Sequence, residues 1–167
     1  GSRDGTPPFS EKIMDIKGNR FLITGGASGM GRHFTLALAR DGADVAFCDL
    51  NAEAIAEVVA EGESLPGKVV GFTANVAVEE EVVGLIKDAA EALGGLDGIV
   101  NNAGIIRDGM LVKKDRRTGE IKKLSMKKWQ QVIDVNLTGV FLCAREFAAY
   151  AVENGKKGVI VSISSVS

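Results

Sequence analysis

The amino-acid sequence predicts an α/β fold, a doubly wound parallel sheet, and three observations predict it. From Asn19 onward, short apolar runs alternate with longer stretches of helical spacing, the rhythm of strand and helix crossovers. The first run passes straight into TGGASGMG, Thr24 to Gly31, and then into a helical stretch. The second run closes on Asp49, 18 residues beyond Gly31, an acid at the edge where open sheets of this kind hold ligands.

Each element follows in order. The runs Phe21–Thr24, Val45–Cys48, Val69–Phe72, Ile99–Val100 and Val159–Ile163 are too short for helices and mostly apolar on both faces. They are expected to be buried parallel strands. Between them, Gly29–Arg40, Asn51–Glu61 and Val78–Leu93 have helical spacing; Val82, Ile86, Ala89 and Leu93 form one stripe, and Gly94-Gly95 stops it. The longest helix is expected from Ser125, as N-cap, to Gly155. The charged stretch VKKDRRTGEIKK, 112–123, carries a Thr118-Gly119 turn signal and is expected to be a solvated hairpin insertion. A functional alternative has its Lys and Arg side chains grip an acidic carrier protein or the phosphates of a coenzyme thioester.

The composition, 46% apolar with a net charge of −2 over 167 residues, suits one soluble domain. That charge balance offers no footprint for nucleic acid, and no apolar run approaches the length of a membrane span. Cys48 and Cys143 lie far apart with no metal-ligand spacing, so packed free thiols in a reducing cytoplasm, and no metal site, are expected. The leading Gly1-Ser2 reads as a cloning remnant, and 1–18 as tag and N-terminal extension.

The glycines of the turn permit tight bending and close backbone approach, and the first turn of the following helix offers N–H groups and a positive dipole end to a diphosphate. Plain punctuation is the bland alternative. Asp49 lowers its weight. A carboxylate there can accept hydrogen bonds from both ribose hydroxyls and repel a 2′-phosphate, so NAD is preferred over NADP, with a simple strand-end cap as the other possibility. Asn136 sits in a stretch of Val, Leu and Phe, where a short amide competes for helix hydrogen bonds. A satisfied buried amide or a functional group both fit. His33 falls in the first helix as a surface or packing residue.

TGGASGMG is similar to the TGxxxGxG turn of the short-chain dehydrogenases/reductases. NNAG at Asn101–Gly104, the Asn of DVNLTGVF at Asn136, and ISS at Ile163–Ser165 match that family in the same order. The resemblance implies a Rossmann-type NAD-binding domain over 19–167. It gives Gly25, Ala27, Ser28, Gly29, Met30, Gly31, Asp49, Asn75, Val76, Asn102, Ala103, Gly104 and Ile163 as cofactor contacts. Asn75 stands where the family commonly has Asp, and keeps an acceptor oxygen. Asn136, distorting its helix and holding a relay water, and Ser165, donating to the substrate oxygen, are the implied catalytic residues; spacing alone does not choose among Ser164, Ser165 and Ser167. The implied reaction moves hydride between nicotinamide and a small-molecule carbonyl or secondary alcohol, with the NNAGIIRDGML stretch looking most like 3-oxoacyl-[acyl carrier protein] and acetoacetyl-coenzyme A reductases. Family members are often tetramers, so the resemblance implies a homo-oligomer, tetramer or dimer, for the full-length protein.

The family also carries a Tyr-x-x-x-Lys pair beyond the ISS serine, whereas the only tyrosine here, Tyr150, is followed at that offset by Asn154. The resemblance therefore implies a fold truncated after the fifth strand, with an exposed sheet edge, and a fragment inactive alone. A non-catalytic dinucleotide-binding sensor or scaffold is the alternative from another class.

Overall fold

In the computed structural model, residues 15–107 and 109–164 are described; the readings made for Gly1-Ser2, Ser165 and Ser167 lie outside them. Five strands form one parallel sheet in the order β3-β2-β1-β4-β7: β1 Arg20–Thr24, β2 Asp44–Asp49, β3 Val69–Thr73, β4 Gly98–Asn101 and β7 Val159–Ser162. Helices α1 Gly29–Arg40, α2 Ala52–Gly62 and α3 Glu79–Leu93 make the first crossovers. The chain order reverses at β1, which pairs with β2 on one side and β4 on the other. That reversal opens a crevice at the strands' carboxyl ends, where doubly wound sheets take their ligands.

Two apolar layers hold the sheet. On one face Leu22, Ala46 and Ile99 pack with Val82, Ile86, Leu142 and Phe147 from the helices; on the other Ile23, Val45 and Phe47 pack with Leu36, Ile55 and Val58. The predicted stripe of α3 is buried, and hiding each of its larger side chains is worth roughly 1.5–3 kcal/mol. Gly94 closes that helix in the left-handed conformation, φ 73°, a turn that glycine makes without steric penalty. At the amino ends of the strands, the Arg20 guanidinium forks onto Asp97 at 2.8 and 3.0 Å.

The two outer strands are less buried than the inner three: β3 departs from the expectation of a buried strand, whereas β7 is the exposed sheet edge that the resemblance implies. β3 is half-buried and β7 largely exposed, Ile160 and Val161 included. Burial follows sheet order rather than local hydrophobicity, and these two are the edges.

The long helix begins as expected at Ser125, whose hydroxyl accepts the Lys128 N–H. It comprises α4 Met126–Ile133, a six-residue π-segment Asp134–Gly139, and α5 Val140–Glu153, so its turn is widened around Asn136. The charged insertion is a hairpin, β5 Val112–Lys114 against β6 Ile121–Lys123, reversed by Gly119 at φ 75°.

Candidate functional site

Three strand ends build the crevice. Thr24, closing β1, turns its hydroxyl back across the sheet and accepts the main-chain N–H groups of Asn102, at 3.1 Å, and Ala103, at 3.0 Å. Asn102 reciprocates, its amide donating to the carbonyls of Thr24 at 3.1 Å and Gly25 at 3.2 Å. The ends of β1 and β4 are thus sewn together by side chains of two segments far apart in sequence. Gly25 leaves the strand at φ 66°, and a Cβ there would lie 2.9 Å from the Ala103 Cα. Only glycine permits that approach.

The turn is also bound to β2. Gly26 donates its N–H to the Cys48 carbonyl at 3.0 Å. Asp49 Oδ2 accepts the Ala27 N–H at 3.1 Å, and Oδ1 accepts the Leu50 N–H at 2.8 Å. The predicted acid therefore sits on the glycine turn itself, with three main-chain donors, the Asn51 N–H at 3.4 Å being the third, holding it in place.

The start of α1 stands apart from the other helix starts. Asn51 caps α2 by accepting from Glu53 and Ala54, and Ser125 caps α4; α3 carries three glutamates in its first turn. At α1 the N-cap residue Ser28 makes no side-chain hydrogen bond, and the first turn contains no acid. Its leading N–H groups and the positive end of its dipole are left for a ligand.

These features line one cleft of ≈ 310 Å³, walled by Gly25, Ser28, Met30, Asp49, Asn75, Val76, Asn102, Ala103 and Gly104 among the predicted residues. Its donor set fits a dinucleotide: bare helix N–H groups for a diphosphate, a carboxylate for a ribose, and a glycine cradle that a Cβ would fill. Asn75 Oδ1 accepts the Ala77 N–H at 3.0 Å, while its own N–H donates to Glu81 at 2.7 Å. The carbonyl oxygen retains a second lone pair for another donor.

Other predicted residues stand behind the wall. Ala27 and Gly29 shape the turn, Gly29 at φ 50°. Gly31 packs α1 on β1, because a Cβ there would lie 1.9 Å from the Gly25 carbonyl oxygen. Asn136 Oδ1 accepts the Ile105 N–H at 2.8 Å and its amide donates to the Ile105 carbonyl at 2.9 Å. Ile163 donates its N–H to the Asn101 carbonyl at 2.9 Å, beyond the end of β7, and is not among the lining residues. Ser165 lies outside the described residues. Tyr150 faces away from the cleft, its hydroxyl accepting the Leu96 N–H at 3.2 Å just before β4.

The sequence pattern did not point to Leu50, Ala74, Ile105 or Val135, all of which line the cleft, and Thr24 opened the glycine motif without a role of its own. Leu50 had a signal, since it directly follows the acid that ends β2. Cys48 forms part of the floor, and with Cys143 it is a buried free thiol. Burial pushes both thiols up to about 12. Among the described residues no group of His, Cys, Asp or Glu could hold a metal, and no helix is long and apolar enough to cross a membrane.

Comparison with known proteins agrees with this fold. The family model described as short chain dehydrogenase matches residues 19–167. The chain is 37% identical over 155 residues to 2,5-dichloro-2,5-cyclohexadiene-1,4-diol dehydrogenase of Sphingobium indicum, covering 93% of this chain and 57% of that protein. It is 37% identical over 153 residues to 3-oxoacyl-[acyl-carrier-protein] reductase of Thermotoga maritima, covering 92% and 58%. The crystal structure of a short-chain type dehydrogenase/reductase from Mycobacterium marinum superposes with a TM-score of 0.78 at 32% identity, over 90% of this chain and 57% of that one. The chain thus spans less than two thirds of the length of these relatives.

Proposed function

We propose that this chain, which belongs to the short-chain dehydrogenase family, forms the cofactor-binding part of an NAD-dependent oxidoreductase acting on a small-molecule carbonyl or secondary alcohol. The observation that carries this reading is the bare amino end of α1 opening on the same cleft as the Asp49 carboxylate.

Nicotinamide dinucleotide, when bound, supplies or takes up the hydride. The chain's residues bind and orient around that exchange. The leading N–H groups of α1, that of Met30 among them, hold the diphosphate, and Gly25 lets it lie close to the backbone. Asp49 accepts hydrogen bonds from the adenosine ribose; a 2′-phosphate would meet its negative charge. Asn102, Ala103 and Gly104 line that sugar, and Asn75 with the Val76 N–H receives the adenine edge. Ser165 donates to the substrate oxygen as charge develops on it. Asn136 holds the Ile105 main chain and keeps a water in the path of proton delivery. Exposed Met126, Trp129, Leu137 and Phe141 along α4, the π-segment and α5 support a homo-oligomeric parent protein, taken here to work in the cytoplasm.

Fluorescence titration of the full-length protein with NADH and NADPH tests the assignment. NADH is expected to bind more tightly, and Asp49→Ala to move the affinity ratio toward NADPH by about tenfold, or ~1.4 kcal/mol. An unchanged ratio would overturn the role of Asp49, and no NADH binding would overturn the whole reading. NADH oxidation dependent on added ketone then separates an oxidoreductase from a binding module.

A further inference from the structure

The hairpin and the start of α4 concentrate charge. Residues 112–128 contain eight Lys and Arg against two carboxylates, a net charge of +6 in a chain whose total is −2. The fold does not spread these charges apart. In the β5–β6 ladder Lys113 stands directly opposite Lys122, an arrangement that is destabilising for like charges. Lys122 lies 3.9 Å from Asp115 and 3.7 Å from Glu120, which offsets part of its charge. Lys113, Lys123 and Lys128 have no carboxylate within ion-pair distance among the described residues.

The hairpin is locally ordered. Asp115 accepts the N–H groups of Arg117 and Thr118 at 2.9 and 3.0 Å, which depresses its carboxyl below the usual range. Leu124 continues the strand by donating to the Leu111 carbonyl at 3.0 Å. Together they frame a concavity of ≈ 370 Å³ lined by Lys113, Lys122, Lys123, Lys128 and Ser125, with Met110 on its wall. No carboxylate lines it among the described residues.

We propose that this lysine-lined pocket is a second anion site, taking a phosphate group on the tail of a substrate whose reactive end enters the cleft. The proposal rests on the reading of that cleft as the reaction site. A concavity lined by lysines fits a compact phosphate better than it fits a flat acidic surface. The pocket and the cleft are joined by one stretch of main chain, Gly104 to Leu111, and by one helix. From Ser125 to Asn136 the rise along the helix is roughly 16 Å, so the phosphate must sit at the end of a long flexible arm. Free coenzyme-type diphosphates and phosphodiester arms attached to a carrier protein share that chemistry.

The test is calorimetric titration of the full-length protein, first saturated with NADH so that its diphosphate site is filled, using pyrophosphate and coenzyme A as probes. Saturable binding of coenzyme A is expected, weakening with added salt. The charge reversal Lys113→Glu/Lys123→Glu should weaken it about tenfold or more while leaving NADH affinity unchanged. No binding to the parent protein, or equal binding to the reversed variant, would overturn the site. An acidic carrier protein with and without its phosphodiester arm distinguishes the sources. Binding that requires the arm supports a phosphate pocket, whereas equal binding of the armless form overturns it in favour of a protein-docking surface. Failure of NADH to bind would count against the cleft alone, because the pyrophosphate titration is read at Lys113 and Lys123.

Discussion

Asn136 and Ile105 exchange two hydrogen bonds, side-chain amide to main chain, at 2.8 and 2.9 Å. The helix widens to a π-turn where Asn136 projects, and the loop leaving β4 is fastened to it. A widening of this kind is frequent at functional sites. Here its effect is to aim an amide at a backbone that has no ladder partner of its own.

Asn136→Ala should therefore release the loop. In the full-length protein we expect faster hydrogen exchange at Ile105 and a fall in kcat of roughly ten- to a hundredfold from misplaced reacting groups. Stability should fall by only about 1 kcal/mol. Exchange and kcat that both stay at parent levels would remove Asn136 from the site.

Gly31→Ala and Gly84→Ala form an opposed pair. A Cβ on Gly31 would meet the Gly25 carbonyl oxygen at 1.9 Å and the Asn102 amide nitrogen at 2.5 Å, neither of which can move without opening the turn. Overpacking there should destabilise by about 1–3 kcal/mol and abolish NADH binding. Gly84, inside α3, has nothing within 4 Å of the added carbon, so alanine should stabilise by about 0.5–1 kcal/mol. Urea unfolding of the two variants reads both signs in one experiment.

Asp97 sets an acid limit on stability. Burial tends to raise its carboxyl, but the Arg20 hydrogen bonds and charge outweigh this and hold it below the ordinary range. With a folded pKa below the unfolded value near 4, the stabilisation is complete above about pH 5 and is lost as pH falls through the folded pKa. Asp97→Asn should cost about 1–3 kcal/mol at pH 7 and flatten the acid side of the stability curve. A variant whose pH profile parallels the parent's would show the fork to be inconsequential.

The thiols give a simpler prediction. Burial pushes Cys48 and Cys143 up to about 12, so at pH 8 both remain neutral and shielded. An aromatic disulfide reagent should label neither in the native protein and both in urea. Rapid native labelling of Cys48 would mean that the cleft floor opens.

Elements with local signals were legible in the sequence. Gly94 after an apolar stripe, Asn51 and Ser125 before helices, and Asp49 after a glycine turn each act through neighbours a few residues away. The braces of the cleft are another matter. Thr24 meets Asn102, and Ile105 meets Asn136, only because the crossovers bring β1, β4 and the long helix together, and no local pattern marks such pairs. The helix distortion at Asn136 was implied by the resemblance, and the π-segment falls where that distant bond is made. Strand hydrophobicity overstated the burial of β3 for a related reason: a run can be apolar on both faces and still fall on the outside of the sheet.

The Arg20–Asp97 fork has a mechanical consequence. Together with the Tyr150 hydroxyl on Leu96 it ties the amino ends of β1 and β4, as Thr24 and Asn102 tie their carboxyl ends. Cooperative units open where such fastenings are sparse, so a seam pinned at both ends is expected to be among the last parts of the sheet to exchange its amides.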